Sequence, residues 1–312
     1  MKLSIITINY NNAEGLRKTL ASVASQTYAD FEHIIVDGGS TDGSIEIIEA
    51  HASDVARNAS SSVPMGGDGD FVAVSSQDST PANGAQLLAE QDTTSPQATP
   101  PHKVTWISEP DTGIYNAMNK GIRMANGDYL LFLNSGDVFA NTDVVQQFYD
   151  TPITVDIATG IEQESNGRLI YPKQEDELSY SYFYDDTLMH QSSFIRREAF
   201  DKYGMYQESY KIVSDWAWFF KAIIVYNASY QPLNFVVAIF DGEGISNSHE
   251  NLQLHNEERE KVRQAILPRI CSDYNELRRL QKIEKEFMFL KNGKMGWIIR
   301  LLINLKNVKI KK

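Results

Sequence analysis

FEHIIVDGGSTDGS, residues 31–44, carries the pattern that decides the fold. An apolar run from Phe31 to Val36 reads as a buried strand, the loop Asp37-Gly38-Gly39-Ser40-Thr41-Asp42-Gly43 closes it, and a helix is expected from Ser44 to Ala50. The same order recurs on both sides. Upstream, Leu3 to Ile8 is a second apolar strand, followed by Asn11-Asn12 as the cap of a helix with Leu16, Leu20 and Val23 on one face. Downstream, Val104 to Ser108 is a strand, Gly113 to Met124 a helix, and Tyr129 to Leu133 a strand that stops at Asn134-Ser135-Gly136-Asp137. Strand, loop and helix in alternation imply an α/β fold whose mainly parallel central sheet carries helices on both faces. Ligands of such sheets bind beyond the carboxyl ends of the strands. That edge would be built from residues 9–11, 37–42, 109–113 and 134–137.

Between about His51 and His102 the pattern breaks. The window holds half of the ten prolines, is rich in Ala, Ser, Gly and Thr, and lacks Lys, Ile, Tyr and Trp. Such a composition buries too little apolar surface to offset its ordering entropy, so 51–102 is expected to be a low-complexity, disordered insertion lying close to the ligand edge. Beyond it the reading is mixed. Strands are expected at Ile153 to Ile161 and Arg168 to Tyr171 around an Asn166-Gly167 turn, at Leu188 to Arg196, and at Asn234 to Phe240. A helix is expected at Trp216 to Val225, and two more at Asn251 to Ala265 and Tyr274 to Phe289. The chain therefore divides into an α/β domain over 1–245 and a helical C-terminal region over 246–312.

The net charge of −12 speaks against a nucleic-acid partner, because phosphate contacts require clustered Lys and Arg. The charge is uneven: Arg278 to Lys312 carries +9, which leaves −21 on the rest. Within that basic tail, Met295 to Leu305 is short and apolar, a combination expected to lie on an anionic membrane surface. A single cysteine, Cys271, precludes an internal disulfide and fits a reducing compartment. With neither a signal peptide nor a spanning segment in view, the expected location is cytoplasmic, peripheral on the inner face of the cytoplasmic membrane.

Several ordered motifs share one resemblance. SIITINYNNAEGLRKTLASVASQTYADFEHIIVDGGSTDGS, ISEPDTGIYNAMNKGIRMANGDYLLFLNSGD, MHQSSFIRREAF and SDWAWFFKA are similar to the family 2 glycosyltransferases, whose nucleotide-sugar-binding fold is called GT-A. The resemblance covers roughly residues 1–245. It implies transfer of a sugar from a nucleotide donor, expected to be UDP-linked, to a glycan or lipid-linked acceptor in cell-surface polysaccharide synthesis. Asp137 matches the acidic metal position of the DxD-type motif, which implies Mg²⁺ or Mn²⁺ acting as Lewis acid on the departing diphosphate. Asn134 and Gly136 stand where many members carry Asp; Gly136 can let backbone approach the donor. Asp37 resembles the acceptor for the uracil edge, and Asn9, Tyr10, Asn11, Asp111 and Asn119 fall in donor-side segments. Asp215 matches the second acid of the ED-type motif, hence a general base, and direct attack with one base implies inversion. His190 and Gln191 resemble an acceptor-side segment. The aromatic set Tyr180, Tyr182, Phe183 and Tyr184, like Trp216 and Trp218, suits either sugar stacking or packing. Two other readings stand beside this one: a membrane-bound scaffold that kept the fold and lost activity, and a sugar-phosphate nucleotidyltransferase, for which the N-terminus lacks the Gly-rich phosphate loop.

Overall fold

The computed structural model describes residues 1–61, 102–242, 251–292 and 297. The chain forms two compact units, 1–248 and 249–312. In the first, the elements run β1 (Leu3–Asn9), α1 (Ala13–Ala24), β2 (Phe31–Asp37), α2 (Ser44–Ser61), β3 (Lys103–Ser108), α3 (Ile114–Met124), β4 (Tyr129–Phe132), β5 (Val138–Phe139), α4 (Val144–Asp150), β6 (Ile157–Glu164), β7 (Leu169–Ile170), α5 (Tyr180–Asp185), β8 (Ser193–Arg196), α6 (Arg197–Tyr203), α7 (Ser214–Phe220) and β9 (Tyr230–Phe240). The second holds α8 (Leu252–Ile266) and α9 (Pro268–Asn292).

The strands form one sheet in the order β3-β2-β1-β4-β8-β6-β9-β5, with β7 paired to β6. The first four are parallel. β1 is buried along its whole length and β4 likewise, which is why both read as continuous apolar runs: helices cover both faces. On one face Leu16 and Leu20 of α1 meet Ile35 of β2 and Ile47 and Ile48 of α2. On the other, α3 lies so close to β1 that a Cβ on Gly121 would come within 2.5 Å of Ile6. α1 starts where Asn12 accepts from the Gly15 amide at 3.0 Å, a side-chain N-cap for an otherwise orphaned donor.

The second half of the sheet fixes what gathers at the ligand edge. β8 runs antiparallel to β4, β6 antiparallel to β8, β9 parallel to β6, and β5 antiparallel to β9. The carboxyl ends of β6 and β9 and the amino ends of β8 and β5 therefore lie at the same edge as the carboxyl ends of β1, β2, β3 and β4. Residues far apart in sequence meet there.

Some expectations change. α2 continues through residues 51–61, and His102 is buried ahead of β3, so the expected insertion contracts to 62–101, which lies outside the described residues. Its attachment points also move. α2 begins at the ligand edge and runs back along β2, so the chain leaves it and enters β3 at the opposite edge, not beside the donor. The strand expected from Leu188 begins only at Ser193, after a short 3₁₀ turn over His190–Ser192. The helix expected over Trp216–Val225 is α7 followed by a π-helical turn, Lys221–Val225. β5, α4, α5 and α6 are additions; each is too short to show a periodicity. No helix among the described residues is long and apolar enough to cross a membrane. Apart from Trp297, the expected membrane-surface segment lies outside the described residues.

Candidate active site

The edge is built on two loops that Asn9 joins. Its amide donates to Asp37 Oδ1 at 2.8 Å and its carbonyl accepts from Ser135 Oγ at 2.8 Å. Asp37 is fully buried and accepts from five donors: Asn9, the Gly39 and Ser40 amides, and the Ser40 and Ser108 hydroxyls. Burial alone would raise its pKa, but the bonds from Ser40, Asn9 and Ser108 hold it below the usual carboxylate range. Asn11, in left-handed backbone at φ 49°, completes the lattice by accepting from the Thr41 amide at 2.8 Å. Asp42 bonds the Ser44 amide and hydroxyl at the start of α2 and the Ala13 amide at the start of α1, as a capping residue should.

The 134–137 turn is gripped from below by Thr19 of α1. Its hydroxyl donates to the Asp137 carbonyl at 2.7 Å and accepts from the Gly136 amide at 3.0 Å. Gly136 takes φ +110°, a backbone conformation that favours glycine, and a Cβ there would lie 3.0 Å from an Asp241 carboxylate oxygen, which would have to give way. Asp137 is only 5% exposed, and burial pushes its carboxyl up to about 6 against the pull of His190. The Asp241 amide points at its Oδ1 from 3.4 Å. Glu162, near the end of β6, is buried with Oε2 unpartnered; burial pushes it up to about 7, again opposed by His190.

Asp215, in the first turn of α7, and His190 face each other across this pocket, Nδ1 to Oδ2 at 3.1 Å, each about one-fifth exposed. Tyr115 of α3 donates to Asp215 Oδ1 at 2.8 Å. Burial would raise Asp215, but His190 and Tyr115 hold it below the ordinary value. Burial would lower His190, yet Asp215, Asp137 and Glu162 hold it above. The other ring nitrogen of His190 lies 3.1 Å from the Asn134 amide nitrogen, while Asn134 Oδ1 is buried without a partner. Turning that amide over lets Oδ1 accept from a protonated imidazole, satisfying both groups.

Of the residues read from sequence, Asn9, Asn11, Asp37, Gly136, Asp137, His190 and Asp215 lie along this edge. Gln191 is buried in the turn after His190. Tyr10, 65% exposed, and Asp111 flank Gly38: a Cβ there would come 3.0 Å from the Tyr10 ring and 2.5 Å from Asp111 Oδ2. Asn119 differs. It is buried, donates to the Tyr206 carbonyl at 2.9 Å and Glu208 at 2.8 Å, and accepts from the Tyr206 amide, so its amide is spent on positioning 206–208 rather than on a donor. The two tryptophans are core. Trp216 stacks on Phe220 and donates to the Phe183 carbonyl, and Trp218 donates to the Gly204 carbonyl. Thr19, Tyr115, Glu162 and Asp241 were not singled out by sequence. Only the short acidic run after β9 hinted at Asp241.

The family model for glycosyl transferase family 2 matches residues 4–59 and 75–210. An uncharacterized glycosyltransferase of Mycobacterium tuberculosis is 28% identical over 254 residues, 80% of this chain and 78% of its own length. A PGL/p-HBAD biosynthesis glycosyltransferase of Mycobacterium bovis is 29% identical over 68% of this chain and 66% of its own. S. aureus TarS 1-349, in a crystal structure with UDP-GlcNAc, shares the fold at a TM-score of 0.53 and 18% identity, covering 86% of this chain and 72% of that one. The mixed sheet is thus the GT-A fold, the match spans well over half the sequence, and the chain belongs to glycosyl transferase family 2.

Proposed function

We propose that the chain transfers a sugar from a UDP-sugar to a hydroxyl of a glycan or lipid-linked acceptor, with inversion at the anomeric carbon. The observation that carries this reading is Asp215: a partly exposed carboxylate kept ionised by His190 and Tyr115, in the same pocket as the carboxyl of Asp137. The acceptor oxygen attacks the anomeric carbon as the bond from that carbon to the diphosphate oxygen breaks. The acceptor proton passes to Asp215, and UDP leaves with the bonding pair. His190 holds Asp215 in place and keeps it charged.

Asp137, with Asp241 beside it, is the set that would hold Mg²⁺ or Mn²⁺. The donors are oxygens, and a buried carboxyl raised to about 6 gains its charge most easily when a cation is there to share it. Such an ion supplies Lewis-acid stabilisation of charge on the leaving diphosphate. On the donor side Tyr10 offers an exposed ring face for the base, and Asp111 Oδ2 a carboxylate oxygen across Gly38. Asp37, with five donors already, serves the donor by fixing the loop on which Gly38 sits.

A role at the inner membrane face is supported by the basic charge of the tail and by apolar side chains exposed along α9, among them Leu280, Ile283 and Phe289. Calorimetric titration with UDP and GDP, with and without Mn²⁺, on the parent and Asp137→Ala tests the reading. Metal-dependent UDP binding that disappears in the variant is expected; no nucleotide binding under any condition would return the chain to the scaffold reading.

A further inference from the structure

Three imidazoles meet between α2 and the sheet, away from the ligand edge. His33 lies on β2, His51 on α2, and His102 directly precedes β3. One ring nitrogen from each falls within 4.8 Å of the other two. His33 and His102 are buried and His51 is half-buried. Buried polar atoms almost always find a partner, yet His33 Nδ1, His51 Nε2 and His102 Nε2 are all buried without one. Three unpartnered ring nitrogens within one cluster of imidazoles are what a missing shared partner leaves behind.

We infer that His33, His51 and His102 form a structural transition-metal site, a three-imidazole set suited to Zn²⁺ and separate from the oxygen-lined catalytic edge. The ligand chemistry selects the ion: imidazole nitrogens suit zinc, nickel and copper, whereas magnesium and calcium demand oxygen. Zinc–nitrogen bonds of about 2.0–2.1 Å place tetrahedral ligands roughly 3.4 Å apart, so from separations of up to 4.8 Å the rings must close by up to about 1.4 Å. His51, half-exposed on a helix, is the one free to move and the side from which an ion enters. The remaining shell is already set. Thr7 Oγ1 lies 3.0 Å from His33 Nε2; with Nε2–H donating to that hydroxyl, Nδ1 is left as the lone-pair nitrogen. The Phe31 ring stacks on His102 with centroids 4.6 Å apart and fixes its plane. Burial favours the neutral imidazole, the form that binds metal, at all three; neighbouring imidazoles add to it at His33 and His102, the latter lowered to about 4, while Asp54 opposes it at His51.

The site has a structural consequence. His51 and His102 lie on either side of residues 62–101, so one ion would tie the helix that leads into that stretch to the start of the strand that follows it, and hold both against β2.

The test uses the full chain stripped with chelator. Zn²⁺ is titrated by calorimetry in excess Mg²⁺, and Co²⁺ binding is read by its visible absorption. One equivalent of Zn²⁺, a tetrahedral Co²⁺ spectrum and a Zn²⁺-dependent rise in melting temperature are expected. His51→Ala and His102→Ala should lose all three while circular dichroism shows them folded, and Asp137→Asn should keep them. Thr7→Val, which leaves the ligands in place, should weaken Zn²⁺ binding about 10–100-fold. Absence of stoichiometric binding to the parent chain overturns the inference, as does binding that survives both histidine substitutions or is lost with Asp137→Asn. Since the readout is metal binding and not turnover, it stands or falls independently of the proposed transferase chemistry.

Discussion

Replacing Asp215 by Asn keeps the side chain's shape and removes its basicity. The amide oxygen can still accept from Tyr115, now 2.8 Å from Asp215 Oδ1, but the amide nitrogen then faces His190 Nδ1, 3.1 Å from Oδ2 in the parent. His190 must accept there as a neutral ring. The structural loss is one charge-assisted contact, about 1.5–3 kcal/mol, small enough for a domain of ordinary stability to remain folded. The chemical loss is larger. A positioned base contributes roughly 10²–10⁴-fold, or about 3–5 kcal/mol of barrier. UDP release would be followed at saturating donor and acceptor, with the UDP-sugar that calorimetric screening selects, and donor binding measured in parallel. kcat should fall by about 10²–10⁴ while UDP affinity is unchanged. His190→Gln is the companion: burial, the largest influence on Asp215, then acts without its main counterweight, so the acid limb of kcat moves to higher pH. If Asp215→Asn turns over at a rate within an order of magnitude of the parent, Asp215 is not the base.

Asp137→Asn should stabilise the metal-free protein above pH 6. The folded carboxyl sits at about 6 against about 3.9 unfolded, so its favourable contribution is complete below the unfolded value and is lost as pH rises through 6, at a cost of up to about 3 kcal/mol by pH 8. Melting curves at pH 4 and pH 8 without divalent ions should show the variant's advantage only at the higher pH; an equal advantage at both would point to packing. Thr19→Val leaves the buried Gly136 amide and Asp137 carbonyl without the hydroxyl, so a loss of about 1–3 kcal/mol in denaturant unfolding is expected, together with weaker Mn²⁺ binding. Gly38→Ala drives a methyl group onto Asp111 Oδ2, and should weaken UDP binding in calorimetry while leaving the melting temperature nearly unchanged. Undiminished UDP affinity would remove Asp111 from the donor pocket.

The half of the fold that was legible in sequence is the half made of buried parallel strands. Leu3–Ile8 and Phe31–Val36 announce themselves because helices cover both faces, and their loops announce themselves through Asn, Asp and Gly. The C-terminal half hid because its meaning lies in pairing. Glu162 falls just past the strand read from sequence, in the polar run Glu162-Gln163-Glu164, and only the neighbouring places of β6, β8 and β9 in the sheet bring it to His190. Tyr115 reads as one more aromatic on a packing helix until α7 brings Asp215 to its hydroxyl. Composition misjudged residues 51–61 because α2 continues there through a polar, small-residued sequence, with the His51 ring against His33 and His102. Asp37 lies at the expected edge, but the five donors that engage it come from two other strands and a loop, which no linear motif announces.

The joints of α2 and β3 with residues 62–101 lie at the edge of the sheet opposite the catalytic one. For a flexible connection, closing a tenfold longer loop costs only about 2 kcal/mol, so length can be gained or lost at this place over evolutionary time without touching a residue that binds donor or acceptor. The same position is a natural port for engineering: a fluorescent reporter or an affinity module spliced between Ser61 and His102 would be joined at the edge of the sheet opposite Asp137, His190 and Asp215.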